Sequence, residues 1–315
     1  MRNIVVITPV FNDWDCLNQL AQALENEALE HHFSIEIIVV NDYSTIILDK
    51  INTGSRLKIS QINLSHNVGH QRAICIGLCH LNQTQQDFDA VVVMDSDGED
   101  RPADISKLLE KAQETAFKKI IFARRKKRKE SRIFRISYFF YRILFRLLTG
   151  KRISFGNFSL IPARFISPIV SDANCWNHFS GSIIHSRLLY ETVSIERGKR
   201  YFGTSKMNFI NLITHGFSSI AVYTEVVVIR LLLFSMASSV IAISSIITVM
   251  CIKVFTQFAI PGWASSMSLL ILNIALQFAL VSLIITLLTL FNRKNIQLPP
   301  KKYYHDFIDN IETVN

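Results

Sequence analysis

The first hundred and twenty residues alternate between short apolar runs and longer amphipathic stretches. Aliphatic, largely β-branched runs occupy residues 4–10, 35–40, 57–62, 90–94 and 119–123. Between them, residues 15–29, 68–81 and 103–116 read as helices. Apolar runs with no alternating polar face belong to strands covered on both sides. Their alternation with helices predicts an α/β domain on a mostly parallel sheet. The last third differs. Residues 231–252 are 22 positions without a charge, and a second uncharged stretch covers 254–292, broken by Pro261-Gly262. At about 1.5 Å rise per residue, each exceeds the roughly 20 residues that cross a bilayer core. Two C-terminal transmembrane helices are predicted, near 231–252 and 264–291, because buried helices of a soluble bundle rarely lack charge for so long.

Composition and charge sharpen this picture. The 315 residues are 49% hydrophobic, and the excess sits in that last third. Arg230 precedes the first apolar stretch, and Arg293, Lys294, Lys301 and Lys302 follow the second, while only Lys253 borders the turn between them. The positive-inside rule then puts both flanks on the cytoplasmic side of a multi-pass protein of the cytoplasmic membrane. The expected organisation is a cytoplasmic domain over 1–225, a two-helix anchor over 226–293 and a cytoplasmic tail over 294–315. The opening ten residues are apolar only briefly, contain Pro9 and precede no small-residue cleavage site, so no signal peptide is expected. Residues 118–152 hold fourteen Lys or Arg and a single acid, Glu130. From 132 to 148, arginines 132, 135, 142 and 146 interleave with aromatics and leucines at helical spacing. That pattern predicts an amphipathic helix in the membrane interface, each basic residue adding about 1 kcal/mol of attraction to anionic lipid. Membrane lipids are the expected partner of this block, not nucleic acid. Cys16, Cys75, Cys79, Cys175 and Cys251 are scattered and odd in number, as reduced structural thiols would be.

Candidate chemistry gathers where the runs end. The first stops in Thr8-Pro9-Val10-Phe11-Asn12-Asp13, the second in Asn41-Asp42-Tyr43-Ser44-Thr45, the fourth in Asp95-Ser96-Asp97-Gly98-Glu99. One acid after a strand is usually a helix cap. Three acidic clusters after three strands of one parallel sheet converge on one rim, where such sheets bind ligands. Asp95, Asp97 and Glu99 alternate, and in an extended segment they would face one spot. Mutual repulsion there is relieved by Mg²⁺ or Mn²⁺, hard cations that bridge carboxylates to phosphates, so a nucleotide diphosphate is the expected ligand. No GxGxxG follows a strand, and residues 198–205, GKRYFGTS, carry Thr204 where a P-loop has lysine.

Taken together, TPVFND, VVNDYST, SHNVGHQRA, MDSDGEDRP and RGKRYFGTSK, followed by two apolar helices, resemble family 2 glycosyltransferases of the polyprenyl-phosphate type. That group includes dolichyl-phosphate mannosyltransferases and bactoprenol glucosyltransferases of O-antigen modification. The resemblance runs from about residue 4 to 293 and implies a nucleotide-binding α/β domain of the GT-A type. By motif match, Pro9, Phe11, Asp13 and Asp42 would hold the nucleoside. Asp95, Asp97 and Glu99 match the DxDxQ segment that takes the metal, with Glu99 in place of glutamine. Arg197, Arg200, Ser205 and Lys206 match a segment that reaches phosphate beside the membrane. Arg125 and Arg128 fall near a family arginine pair that also serves the acceptor phosphate. Asp95, Asp97, Arg197, Arg200 and Lys206 are thereby the expected catalytic residues. The implied partners are a nucleotide-sugar donor, UDP-glucose first, and undecaprenyl or a related polyprenyl phosphate, in a chain able to form homo-oligomers. Inversion at the sugar carbon is implied as well. Asn41, Tyr43 and Asn157 depart from the family pattern, which leaves open a catalytically degenerate, membrane-anchored nucleotide-sugar binding protein.

Overall fold

Apolar runs and amphipathic stretches fold as their alternation predicts. The computed structural model describes residues 2–46, 57–84, 87–125, 132–151, 156–203, 216–256, 262–294 and 298–314, which contain one eight-stranded sheet. Its strands are β1 (Arg2–Val10), β2 (Phe33–Asn41), β3 (Lys58–Leu64), β4 (Ala90–Val93), β5 (Ile120–Arg125), β6 (Ser159–Pro162), β7 (Tyr190–Ile195) and β8 (Ile308–Val314). They lie in the order β7-β5-β6-β4-β1-β2-β3-β8. β1 runs parallel to β2 and β4, β2 to β3, and β5 to β7, while β6 and β8 run against their neighbours. Every strand except β6 and β8 therefore opens its carboxyl end on the same rim.

Both faces of the sheet are covered, as unbroken apolar strands require. On one face Ile4, Val6 and Val10 join Leu17, Leu20 and Leu24 of α1 (Trp14–Glu30). On the other, Val5 and Ile7 join Ala73, Ile74 and Leu78 of α2 (His70–Gln83). Each leucine, isoleucine or valine among them, taken fully out of water, stabilises by about 1.5–3 kcal/mol. All five cysteines are free, with Cys251 exposed and the other four buried.

One expectation is corrected here. Residues 294–315 read as a tail, but β8 completes the sheet antiparallel to β3, with Ile59 opposite Val314 and Ile62 opposite Ile311. The cause is a set of aromatic anchors just before β8. Tyr304 is fully buried and donates its hydroxyl to Gln83 Oε1 at 3.0 Å. Phe307 packs on Trp176 with ring centroids 4.8 Å apart. The strand also covers what would otherwise be an open edge of β3.

The chain divides into two units: residues 1–136, 153–222 and 297–315, which hold the sheet, and residues 137–152 and 223–296. In the second, the later turns of α4 (Arg132–Thr149) expose Phe140, Ile143, Leu144 and Leu147. Arg230 donates to Leu147 O at 2.7 Å, satisfying a carbonyl at that helix's end. Two long helices follow, Thr224–Phe255 and Trp263–Lys294, each longer than the span expected for it. Both reach a mean hydropathy of 2.4 in their most apolar window. Their apolar side chains point outward: Phe234, Ile241, Leu272, Leu283 and Phe291 are all more than half exposed. Ser235, Ala242 and Val249 are buried instead. A soluble core helix would show the reverse, so these helices are suited to lipid.

Tyr304→Ala is expected to destabilise the sheet unit by roughly 3–5 kcal/mol, as for other buried aromatics. Chemical denaturation of the full chain in detergent, followed by tryptophan fluorescence, checks it.

Candidate active site

The parallel topology carries distant stretches of sequence to one rim. Asp13 follows β1, Asp42 follows β2, residues 95–100 follow β4, Arg125 ends β5, and Arg197 and Arg200 follow β7. The loops after β4 and β7 are laced together. Gly198 N donates to Glu99 O and Tyr201 N to Asp97 O, both at 2.9 Å. Glycine is required on both sides of this contact. A Cβ at Gly198 would stand 2.0 Å from Gly98 O, and Gly98, at φ +86°, lies under the Tyr201 ring.

Guanidinium groups then fill the space between the acids. Arg200 binds Asp13, and its Nη1 donates to Asp97 Oδ2 at 2.8 Å. Arg197 binds Glu99. Arg125 donates to Glu99 Oε2 at 3.3 Å and to Asp100 Oδ1 at 2.5 Å. Asp95 is the least neutralised: Arg125 Nη2 is 3.9 Å from its Oδ2, and its buried Oδ1 has no hydrogen-bond partner. Burial, then the charge of Asp97, pushes the Asp95 carboxyl up to about 6. Asp100, itself buried, is raised to about 7 by burial and by Asp95. Beneath the rim the Cys16 thiol is pushed up to about 11 by burial and a hydrogen bond with Asp13, so it is no nucleophile at neutral pH.

The three acids of the fourth strand's end do not converge as their alternation suggests. Residues 95–100 form a turn, in which Glu99 N donates to Asp97 Oδ1 at 2.9 Å, and a turn breaks the every-other-residue rule. Glu99 faces two arginines, and among the described residues no group of three or more His, Cys, Asp or Glu stands ready to hold a metal.

The nucleoside candidates also separate. Phe11 is 42% exposed at the rim, with Tyr43 across from it at 53%. Pro9 is buried within β1 opposite Val40, just past the last β1–β4 pair, Ile7 with Val93, where a missing N–H costs that ladder nothing. Asp42 is buried and accepts from the Val68 and Gly69 N–H groups at 2.7 and 3.0 Å, fixing the entry to α2. Burial raises its carboxyl, with those two bonds opposing. Asn41 donates to Asn63 Oδ1 at 2.8 Å and accepts from Ser44 N at 2.9 Å, so this departure holds the loop together. Arg197 and Arg200, assigned by motif to phosphate near the membrane, pair with Glu99 and with Asp13 and Asp97. Arg128, Ser205 and Lys206 lie outside the described residues.

Sequence reasoning passed over Asn12 and Asp100. Asn12 Oδ1 accepts from Thr45 N and Ile46 N at 2.8 and 3.0 Å, tying the loops after β1 and β2. Asp100 Oδ2 accepts from Asp95 N at 3.1 Å, closing the turn. An acid directly before Arg-Pro in the fourth cluster is the only signal either left.

A family model described as glycosyl transferase family 2 matches residues 5–167. A putative glycosyltransferase, CsbB, of Bacillus subtilis is 26% identical over 237 residues, spanning 70% of this chain and 67% of the relative. An undecaprenyl-phosphate 4-deoxy-4-formamido-L-arabinose transferase of Salmonella choleraesuis is 24% identical over 274 residues, spanning 84% and 80%. Among solved structures, glucosyl-3-phosphoglycerate synthase of Mycobacterium tuberculosis, crystallised with Mn²⁺, UDP and its product, superposes with a TM-score of 0.52. It is 14% identical and covers 71% of this chain and 80% of its own. The same enzyme with Mg²⁺ and UDP gives 0.51 at 15% identity, covering 71% and 79%. The sheet unit thus has the GT-A type of fold.

Asp100→Asn is expected to destabilise the sheet unit by about 2–3 kcal/mol. That is below the roughly 3–5 of a wholly buried pair, because Arg125 keeps Glu99 and remains partly in solvent. Denaturant unfolding of the variant beside the parent chain measures it.

Proposed function

The chain belongs to the family 2 glycosyl transferases, and from that premise we propose that it moves a sugar from a nucleotide-sugar donor onto undecaprenyl or a related polyprenyl phosphate. One observation carries this reading: a GT-A rim and two helices long and apolar enough to span a bilayer occur in one chain. A lipid acceptor needs both, and a relative covering 84% of the chain acts on undecaprenyl phosphate by name. The basic flanks of the helices support a cytoplasmic position for the sheet unit. The outward apolar face of α4 beside Arg142 and Arg146 supports its lying in the interface.

Glucose from UDP-glucose is the leading donor, because bactoprenol glucosyltransferases share this order of motifs and helices. UDP-linked amino sugars and GDP-mannose are the competing donors, and the Salmonella relative moves a substituted arabinose.

Divalent metal fits the charge at the rim. Five carboxyl groups, on Asp13, Asp95, Asp97, Glu99 and Asp100, face three guanidiniums, on Arg125, Arg197 and Arg200. Asp95 Oδ1 is buried and accepts no hydrogen bond, with His70 Nε2 3.3 Å away. Mg²⁺ or Mn²⁺ held by Asp95 and Asp97, with the donor's phosphates completing its shell, would stabilise the charge of the departing diphosphate.

The chain's own residues supply positioning and charge. A phosphate monoester acceptor is anionic at neutral pH and needs little help from a general base. Arg197 and Arg200 present planar forks suited to phosphate oxygens, and both can exchange a carboxylate for a phosphate as substrates arrive. Phe11 and Tyr43 flank the end of β1–β2, where a base could stack. Displacement from the face opposite the diphosphate inverts the sugar carbon.

Incubating the purified full-length protein and undecaprenyl phosphate with a panel of nucleotide sugars, read by mass spectrometry, tests the assignment. UDP-glucose is expected to give a lipid-linked hexose phosphate, and no lipid product from any donor would overturn it. Excess chelator should abolish turnover, and Asp97→Asn should lower it at least a hundredfold if about 3 kcal/mol of leaving-group stabilisation is lost. Arg200→Ala is expected to weaken UDP affinity as well as turnover, since Arg200 bridges Asp13 and Asp97. Arg200→Lys should recover only part, because the bidentate fork is gone. Calorimetry beside acceptor-dependent turnover separates the two effects.

A further inference from the structure

The second long helix, Trp263–Lys294, carries two amides deep within its apolar run, Asn273 and Gln277. At about 1.5 Å per residue they lie roughly 15 and 21 Å from its first residue, within reach of the middle of a hydrocarbon core about 30 Å thick. Hydroxyls along both helices are satisfied locally: Ser238, Ser245, Thr286 and Thr289 each donate to the carbonyl four residues earlier. The amides are satisfied only in part. Gln277 Nε2 donates to Asn273 Oδ1 at 2.8 Å. That bond leaves both N–H groups of Asn273, one of Gln277 and the Gln277 Oε1 with no partner among the described residues. Both side chains are exposed, and hydrocarbon holds no water to pair them.

The side of the helix on which they stand limits what can pair them. Ser282 marks the side packed on the preceding helix, where its hydroxyl donates to Leu231 O at 3.3 Å. By helical spacing the two amides fall on the opposite side. There they take consecutive places in an alternating three-and-four repeat with Leu270, Leu280, Ile284 and Leu287, all exposed. Parallel helices pack along such a repeat. Copies inserted the same way in one membrane have parallel helices, and a two-fold axis along the membrane normal sets each amide level with its own counterpart. An amide both donates and accepts, so each can bond that counterpart with no second kind of residue.

We propose that two copies of this chain pair within the membrane through the Asn273–Gln277 side of this helix. Leucines alone would not select that side, because lipid is as apolar as they are, and interhelical amide bonds supply the preference. The inference rests on these helices spanning a bilayer and is independent of the sugar, the acceptor and the metal.

The experiment is Förster transfer between full-length copies labelled at the amino terminus, in phosphatidylethanolamine–phosphatidylglycerol vesicles over a range of protein-to-lipid ratios. The parent chain is expected to associate as that ratio rises. Asn273→Leu combined with Gln277→Leu should move the midpoint to about tenfold higher protein density, and each single change should move it less. Gln277→Asn, which keeps an amide on the same side, should stay near the parent. Adding Leu272→Asn to the double variant restores an amide at nearly the same depth on another side and should not restore association. Leucine suits both helix and lipid, and vesicle flotation with circular dichroism checks that every variant inserts and folds. A parent chain at the level of unassociated copies at every ratio would overturn the inference. So would a double variant that associates like the parent, or one rescued by Leu272→Asn. Amide-dependent association in a chain that transfers no sugar to lipid would sustain the inference and remove only the acceptor assignment.

Discussion

Five carboxylates crowd one rim of the sheet, and in water-poor surroundings they would drive one another toward protonation or push their loops apart. Arg125, Arg197 and Arg200 prevent this by lying between them. The compensation is incomplete. It leaves Asp95 with a raised carboxyl and an oxygen that accepts no hydrogen bond. Such networks rarely add much net stability, because desolvation offsets their attraction. Their effect here is to hold acidic groups close together.

That arrangement depends on strand direction. β5 and β7 run the same way as β1, β2 and β4, so the arginines that end or follow them emerge on the acidic rim. Antiparallel β6, which follows β5 in the chain, fills the place between β4 and β5 in the sheet. The contact of Gly198 with Gly98 then brings the last basic segment close enough for its guanidiniums to reach Asp13 and Asp97. Two positions that depart from the family pattern serve as amide braces: Asn41 bonds Asn63 and Ser44, and Asn157 bonds the His70 ring.

β8 gives the chain a second long-range constraint. The polypeptide leaves the sheet unit, forms two long apolar helices, and comes back to pair with β3. The sheet unit is therefore complete only once the helices have been made. A cut before the first helix removes an edge strand and the buried Tyr304 along with the apolar segment, so solubility and folding cannot be separated by that truncation.

Local chemistry was legible from the sequence wherever a residue's fate depends on its neighbours in the chain. Apolar runs of five to seven residues between helical stretches identified β1 to β5 and the helices between them, because burial on both faces demands unbroken apolarity. Charge-free length identified the two long helices, and the acidic clusters after β1, β2 and β4 marked the rim. Tertiary structure decided the rest. β6, β7 and β8 are short or polar on one side, and their place in the sheet comes from partners far along the chain. The turn at residues 95–100 replaced the alternation expected of Asp95, Asp97 and Glu99, because Asp100 and Arg125, 25 residues apart, hold it bent. Asp42 proved a buried clamp on α2, and Arg200 a partner of an acid 187 residues away. A sequence records which side chains can pair. Only the packed sheet fixes which of several equally charged candidates come within hydrogen-bond distance, because that choice is made by strand order and by contacts between loops that local pattern does not encode.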